Sequence, residues 1–206
     1  MKKGALTREQ IIKKAAELFN ANGFAGASLS RLMEQTGLKK GGIYNHFANK
    51  DEIIVEAFDY SVRQVRKSLY RTTSPLKTAR ERLLAILDFY REYPLNPVIP
   101  GGCPLVNTSV DADNTHPALH RRVAEEWQRL IRNLQTLLQQ ALEEGSVKSE
   151  INAEKVSRFI VASIQGGVVL SRSLDNPQPM IDVTDQLRRY FELELFTQKE
   201  AHGEHA

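Results

Sequence analysis

Hydrophobic positions recur at intervals of three and four over most of this chain, a spacing that predicts helices from near the N-terminus almost to the end. Ile11, Ile12, Ala15, Leu18 and Phe19 mark the first helix. Thr7 and Gln10 form a capping box before it, and it runs to Asn22 and ends at Gly23. Ser28 is an N-cap for a short second helix through Leu29, Leu32 and Met33, which Gly37 closes, with Leu38 packing back under the turn. Ile43 and Phe47 lie one turn apart on the buried face of a third. Asn49 and Glu52 repeat the capping-box pattern before a long helix through Ile53, Ile54, Ala57 and Phe58.

Further on, Ser74 and Pro75 have the chemistry of a cap and first turn for a helix through Leu83, Ile86, Leu87 and Tyr90, which Pro94 must end. A Pro- and Gly-rich loop, Pro94 to Pro104, precedes a short helical piece from Leu105 to Val110. Pro117 opens a long helix that lasts until Gly145, Asn152 caps another over Val156 to Leu174, and a last one covers about Ile181 to Phe196. No strand-like alternation, repeat or low-complexity block interrupts the series, so the fold class is all-α. Lys199 to Ala206, with His202 and His205, reads as a frayed tail.

The second and third helices carry the chemistry. Their outward positions hold Lys40, Gly41, Gly42 and Asn45, with Tyr44 and His46 toward one edge and Lys39 at the corner. Lysines attract phosphate, Tyr and His can donate to phosphate oxygens, and Asn can make a paired contact with an adenine edge. Two glycines let a helix backbone approach a groove floor closely; alone, they fit a simple turn equally well.

Charge sharpens this picture. The whole chain has a net charge of only +3, but residues 1 to 50 hold nine Lys/Arg against three Asp/Glu and the remainder nineteen against twenty-two. A basic head on a mildly acidic body favours nucleic acid at one end. At 206 residues, 41% hydrophobic and 7% aromatic, the chain has room for one or two compact units. It lacks the long uncharged run of a membrane span and the apolar stretch of a signal peptide, so a cytoplasmic location is expected. The single cysteine, Cys103, excludes an intrachain disulfide.

The segments Glu17 to Phe24 (ELFNANGF) and Gly37 to Ile53 (GLKKGGIYNHFANKDEI), with Ser28 between them, resemble the DNA-binding domain of the TetR family of bacterial transcriptional regulators. The resemblance covers Thr7 to Phe58 and combines Gly37, Tyr44, Phe47 and Lys50 at fixed spacing. It implies a three-helix helix-turn-helix domain over residues 5–65, with the motif itself at about 28–47, and a larger helical ligand-binding and dimerisation domain over 74–197. It implies that Ser28 caps its helix and touches phosphate, that Tyr44, His46 and Lys50 grip the backbone, and that Lys40, Gly41, Gly42 and Asn45 face the bases. The family commonly has Ala, Ser or Thr where Gly42 stands, so direct readout there departs from the pattern.

The implied activity is a ligand-responsive regulator, most often a repressor, that binds a palindromic operator in double-stranded DNA as a homodimer and leaves it when a small-molecule effector binds. No cofactor and no metal are expected. Phe89, Tyr90, Tyr93, Cys103 and Trp127 are candidates for the effector pocket, and Phe159, Ser163, Gly166, Gly167, Leu170, Leu187 and Tyr190 for the dimer interface. Aromatic residues at helical spacing also describe an ordinary core, and the glycine pair also fits close packing within one subunit. Cys103, in GGCPLVN, suggests a thiol sensor of oxidants or electrophiles if a helix N-terminus lowers its pKa, and a packing residue otherwise. A Cys103 nucleophile with His116 or His120, or a metal cluster of Asp111, Asp113, His116 and His120, describes an enzyme; both signals are weak, with no zinc-type cysteine pair. An architectural DNA-binding protein without a ligand fits the head equally well, and the size of the body argues against it.

Overall fold

The structure, a computed structural model, describes residues 3–113 and 116–197, the side chains of 3–6, 25 and 26 excepted. The tail from Lys199, with His202 and His205, lies outside the described residues, as do Asn114 and Thr115. Nine α-helices are described: α1 Lys3–Gly26, α2 Leu29–Thr36, α3 Lys40–Tyr44, α4 Lys50–Thr73, α5 Ala79–Glu92, α6 Pro104–Ala112, α7 Pro117–Glu143, α8 Ala153–Ser173 and α9 Gln178–Tyr190. A π-helical turn, Phe191–Leu195, follows α9. Among the described residues the only extended pairing is an isolated bridge between Val147 and Phe196.

Two compact units result. One lies within Met1–Arg71 and Glu92–Gln128, the other within Thr72–Arg91 and Arg129–Ala206. In the first, Ile11, Ala15, Leu18 and Phe19 of α1, Leu32 of α2, Ile43, Phe47, and Ile53, Ile54, Ala57 and Phe58 of α4 are buried, as their spacing requires. Gly23 breaks α1 with φ 69° and ψ 168°, so the expected end of the helix appears as a kink inside a longer element. The beginning differs from expectation: α1 already runs from Lys3, and the Thr7–Gln10 box falls inside it.

Charged pairs join α4 to the start of α7 within this unit. Arg122 forks onto Asp59 at 2.7 and 3.2 Å, and Arg66 meets Glu126 at 3.5 Å. The Asp59 hydrogen bond, with help from Glu125, pushes the Arg122 guanidinium further up, and its charge is permanent. His116 caps α7 with Nδ1, which accepts from the Leu119 N–H at 3.2 Å, and points Nε2 toward Asp51 Oδ1 at 3.5 Å, long for a hydrogen bond.

In the second unit α8 and α9 pack as an antiparallel pair. Ser171 Oγ accepts from the Met180 N–H at 2.9 Å, and Gly167 lies beneath Met180 and Val183, where a Cβ would stand 2.9 Å from the Met180 sulfur. Arg91 of α5 reaches Asp185 at 2.5 Å and Thr184 Oγ1 at 3.1 Å, and Arg188 reaches back to Asp88 at 2.5 Å. The cap of α5 is a correction to the Ser74–Pro75 expectation. Thr78 Oγ1 accepts from the Glu81 N–H at 3.2 Å while the Glu81 carboxylate accepts from the Thr78 N–H at 2.9 Å, a reciprocal box whose cap stands four residues after Ser74.

The Thr78 backbone N–H, then its hydroxyl, hold the Glu81 carboxyl below its usual range. The sign follows: this cap is complete above the ordinary carboxylate pKa and weakens as acid protonates Glu81. Thr78→Ala should destabilise the chain by about 1 kcal/mol in denaturant titrations near neutral pH, whereas Ser74→Ala should leave the midpoint where it is.

Candidate nucleic-acid interface

Local chemistry shapes the surface from Ser28 to Lys50. Ser28, extended at φ −75° and ψ 154°, accepts from the Arg31 N–H at 3.3 Å and starts α2. Gly37 closes α2 in the left-handed region at φ 68°, and Thr36 Oγ1 turns back to the Leu32 carbonyl at 2.7 Å. The chain restarts at once as α3, held inward by Ile43 and Phe47, both buried.

The opposite side of this segment is open. Ser28, Lys39, Lys40, Gly41 and Asn45 are exposed; Gly42, Tyr44, His46 and Lys50 are half-buried. The Lys40 ammonium lies 5.9 Å from the Tyr44 ring centre, within cation–π reach. A Cβ added to Gly41 would meet nothing within 4 Å, and one on Gly42 would make ordinary contact with Leu38 at 3.6 Å. Neither glycine is demanded by the packing of its own chain.

The end of the motif is clamped. Arg8 of α1 binds the carboxylates of Glu52 and Glu56, donates from Nε to the His46 carbonyl at 3.3 Å and stacks 4.5 Å above the Phe47 ring. The Glu56 hydrogen bond leads the causes that raise its pKa. Glu52 N–H donates to Asn49 Oδ1 at 2.8 Å, while the Glu52 carboxylate accepts from Ala48 N–H and not from Asn49. Lys50 donates to the Phe24 carbonyl at 3.3 Å and so ties α4 to the end of α1, just past the Gly23 kink. Sequence spacing gave no sign of the Arg8 clamp, because its partners lie between 38 and 48 positions away.

The body candidates divide. Phe89 and Tyr90 lie in the second compact unit, edge to face at 5.2 Å; Tyr93, Cys103 and Trp127 lie in the first. Trp127 Nε1 donates to Ser109 at 2.9 Å, and the Tyr93 hydroxyl points at the Gly102 carbonyl, 3.5 Å away. Burial pushes the Cys103 thiol up and outweighs the α6 amides of Val106 and Leu105 that oppose it. Burial and a raised pKa both run against the thiol-sensor expectation, which asks for a lowered one. Among the described residues no three His, Cys, Asp or Glu side chains come together to hold a metal ion.

On α8, Phe159, Gly166 and Leu170 are exposed and Ser163 is half-buried, as is Tyr190 of α9, whose ring meets Phe159 edge to face at 5.4 Å. Gly167 and Leu187 are corrections: both are buried, Gly167 beneath α9 and Leu187 at 3% exposure. Leu187 nonetheless helps to line an open groove of about 240 Å³ with Phe159, Ser163, Asp182, Val183 and Gln186.

A short helix that ends in a left-handed glycine, restarts within three residues and turns a basic, side-chain-poor face outward defines a helix-turn-helix DNA-binding regulator. Residues 11–57 match the model described as bacterial regulatory proteins, tetR family, and residues 79–187 the tetracyclin repressor-like C-terminal domain. The chain belongs to the TetR family of transcriptional regulators. A TetR regulator from Chloroflexus aurantiacus is 34% identical and superimposes with a TM-score of 0.92 over 96% of this chain and 100% of its own. Another from Cytophaga hutchinsonii is 30% identical, with a TM-score of 0.89 over 97% of this chain and 99% of its own. The HTH-type transcriptional regulator LmrA of Bacillus subtilis shares 24% identity over 183 residues, 86% of this chain and 93% of that protein. Among the described residues no helix is long and apolar enough to cross a membrane.

Proposed function

We propose that this regulator reads a palindromic operator as a homodimer, with α3 in the major groove, and that a small-molecule effector held by the body lowers its affinity for that site. The open face of α3 carries this reading: Lys39, Lys40, Gly41 and Asn45 stand exposed around a helix whose only apolar side chain is buried. Tyr44, His46 and Lys50 supply phosphate contacts, Ser28 adds one beside its cap, and Lys40 and Asn45 face the base edges. Residues 5–65 act as the DNA-binding domain and 74–197 as the effector-binding and dimerisation domain. Phe89 and Tyr90, within the second unit, are the effector contacts proposed; Cys103 contributes packing.

The second subunit fits the outer face of α8. Phe159, Gly166, Val169, Leu170 and Leu174 stand exposed there, and a soluble monomer gains nothing from such a row. Two-fold pairing sets two α3 helices on half-sites ~34 to 36 Å apart, one helical turn of DNA. The effector acts only through differential affinity for the DNA-competent arrangement and another.

Selection of duplexes from a random pool, followed by anisotropy titration, tests the reading. A palindromic consensus is expected, and release of that DNA on adding compounds from a metabolite library; preference for no sequence would overturn it. Asn45→Ala should chiefly change the preferred base at one position in each half-site, a discrimination of about 1 to 3 kcal/mol. Lys50→Ala should lower affinity for selected and random duplexes alike and reduce the slope of log affinity against log salt by about one unit. Equal losses on both duplexes for both variants would contradict the division of roles.

A further inference from the structure

Two asparagines 87 positions apart lock α6 and the loop before it onto α1. Asn20 is 8% exposed, and its side-chain nitrogen donates to the carbonyls of Pro100 and Gly102, each at 2.9 Å. Asn107, one turn into α6, faces it. Its side-chain nitrogen lies 3.0 Å from both the backbone oxygen and Oδ1 of Asn20 and 2.9 Å from the Gly101 carbonyl, three acceptors sharing two protons. Gly101 permits this closeness. It sits at φ 98°, and a Cβ there would lie 2.4 Å from the Asn20 backbone oxygen.

A second contact lies one turn farther along α6. The Asp111 carboxylate covers Gly23, so near that a Cβ on Gly23 would stand 2.7 Å from Oδ2. Gly23 is the kink of α1, and its carbonyl accepts the Ala27 N–H at 3.1 Å, one residue before the Ser28 cap. Thus α6 touches α1 at Asn20 and again at the point where the chain turns toward the helix-turn-helix.

Apolar packing alone would tolerate small slides of α6 along α1. An amide pair with Asn20 buried and Asn107 half-buried does not, because its donors and acceptors are satisfied at one register and unpaired at the next. We infer that Asn20 and Asn107 are positioning residues of the DNA-reading head: by fixing α6 and the Pro100–Gly102 loop against the end of α1, they set the direction in which the chain leaves Gly23 and therefore the aim of α3. This rests on the reading of α3 as the DNA-contacting helix. The residues that touch DNA are unaltered when the clasp opens, so phosphate attraction persists while register with the bases is lost.

The test uses the full chain and the duplex that the wild type enriches from a random pool, beside a scrambled duplex of equal length. Asn20→Ala and Asn107→Ala should each weaken the selected duplex about tenfold or more and change the scrambled one less than about twofold. The double variant should be little worse than either, as expected for partners in one network. A loss of folded protein lowers both duplexes together, so the ratio separates aim from stability. Should an alanine variant fail to fold, Asn107→Ser, which keeps a donor, should fold and show a smaller loss of the same ratio. An unchanged ratio in both alanine variants, or in Asn107→Ser where that variant stands in, overturns the positioning role. Additive losses in the double variant overturn it too. A wild type that enriches no duplex overturns the reading of α3 itself, and the clasp with it.

Discussion

Phe159→Asp with Leu170→Asp should turn the regulator into a folded monomer that binds its operator roughly 10² to 10⁴-fold more weakly, the range over which linked sites gain from each other. Both side chains are about half exposed in a single chain, at 49% and 52%, so replacing them removes little from the core. They lie on one face of α8 with Gly166 between them, above which a Cβ would meet nothing within 4 Å. A mid-helix glycine costs about 1 kcal/mol relative to alanine, and this one serves no packing within its own chain. The close approach of a second helix proposed for this face would account for it.

Carboxylates placed at that contact would have to leave water against apolar surface, and two copies would place four of them together. Sedimentation should give the mass of one chain, with the far-ultraviolet circular dichroism of the wild type retained. The groove between Phe159, Ser163, Val183 and Gln186 should then stay open to a fluorescent apolar probe that the native dimer excludes. A variant that still sediments as a dimer, or a monomer that holds the operator as tightly as the wild type, would place the interface elsewhere.

Much of the head was legible because its determinants are local. A serine cap three residues from its N–H partner, a glycine closing α2, an asparagine cap before α4 and two buried residues one turn apart are all decided within a few positions. The body was less legible for a matching reason. Val156 to Leu174 is apolar or small on most of its surface, and periodicity cannot say which side meets α9 and which stays open; Gly167 and Leu187 turned inward while Gly166 and Leu170 did not. Ser74–Pro75 is as good a helix start as Thr78–Glu81 until the fold shows which one the backbone uses. The Arg8 clamp and the Asn20–Asn107 pair had no sequence signal, since each joins segments whose separation only the tertiary fold removes.

Gly41→Ala with Gly42→Ala should stabilise the protein and weaken it as a DNA reader, two effects of opposite sign from the same two methyl groups. The stabilisation follows from the unfolded chain: alanine has less backbone freedom to lose, a gain of about 0.4 to 1 kcal/mol at a compatible site and less near the end of so short a helix as α3. The sites are compatible, because neither glycine has a positive φ and the added carbons meet open space at Gly41 and ordinary contact with Leu38 at Gly42. Nothing within the protein therefore calls for glycine twice in a five-residue helix. The groove does, if the α3 backbone lies on its floor.

A methyl between backbone and base edges lifts the helix and lengthens the hydrogen bonds of Asn45, so a contact worth about 1 to 3 kcal/mol is put at stake, roughly 5-fold to 150-fold in affinity for the selected duplex. Random DNA, held by lysine and phosphate, should bind as before. The single variants separate the two positions: Gly42→Ala, whose carbon leans on Leu38, should lose less than Gly41→Ala, whose carbon points into open space. Thermal unfolding beside anisotropy on both duplexes decides the matter. A double variant with a higher melting temperature and undiminished operator affinity would show that the backbone of α3 stands off the bases, and that these glycines shape a turn and nothing more.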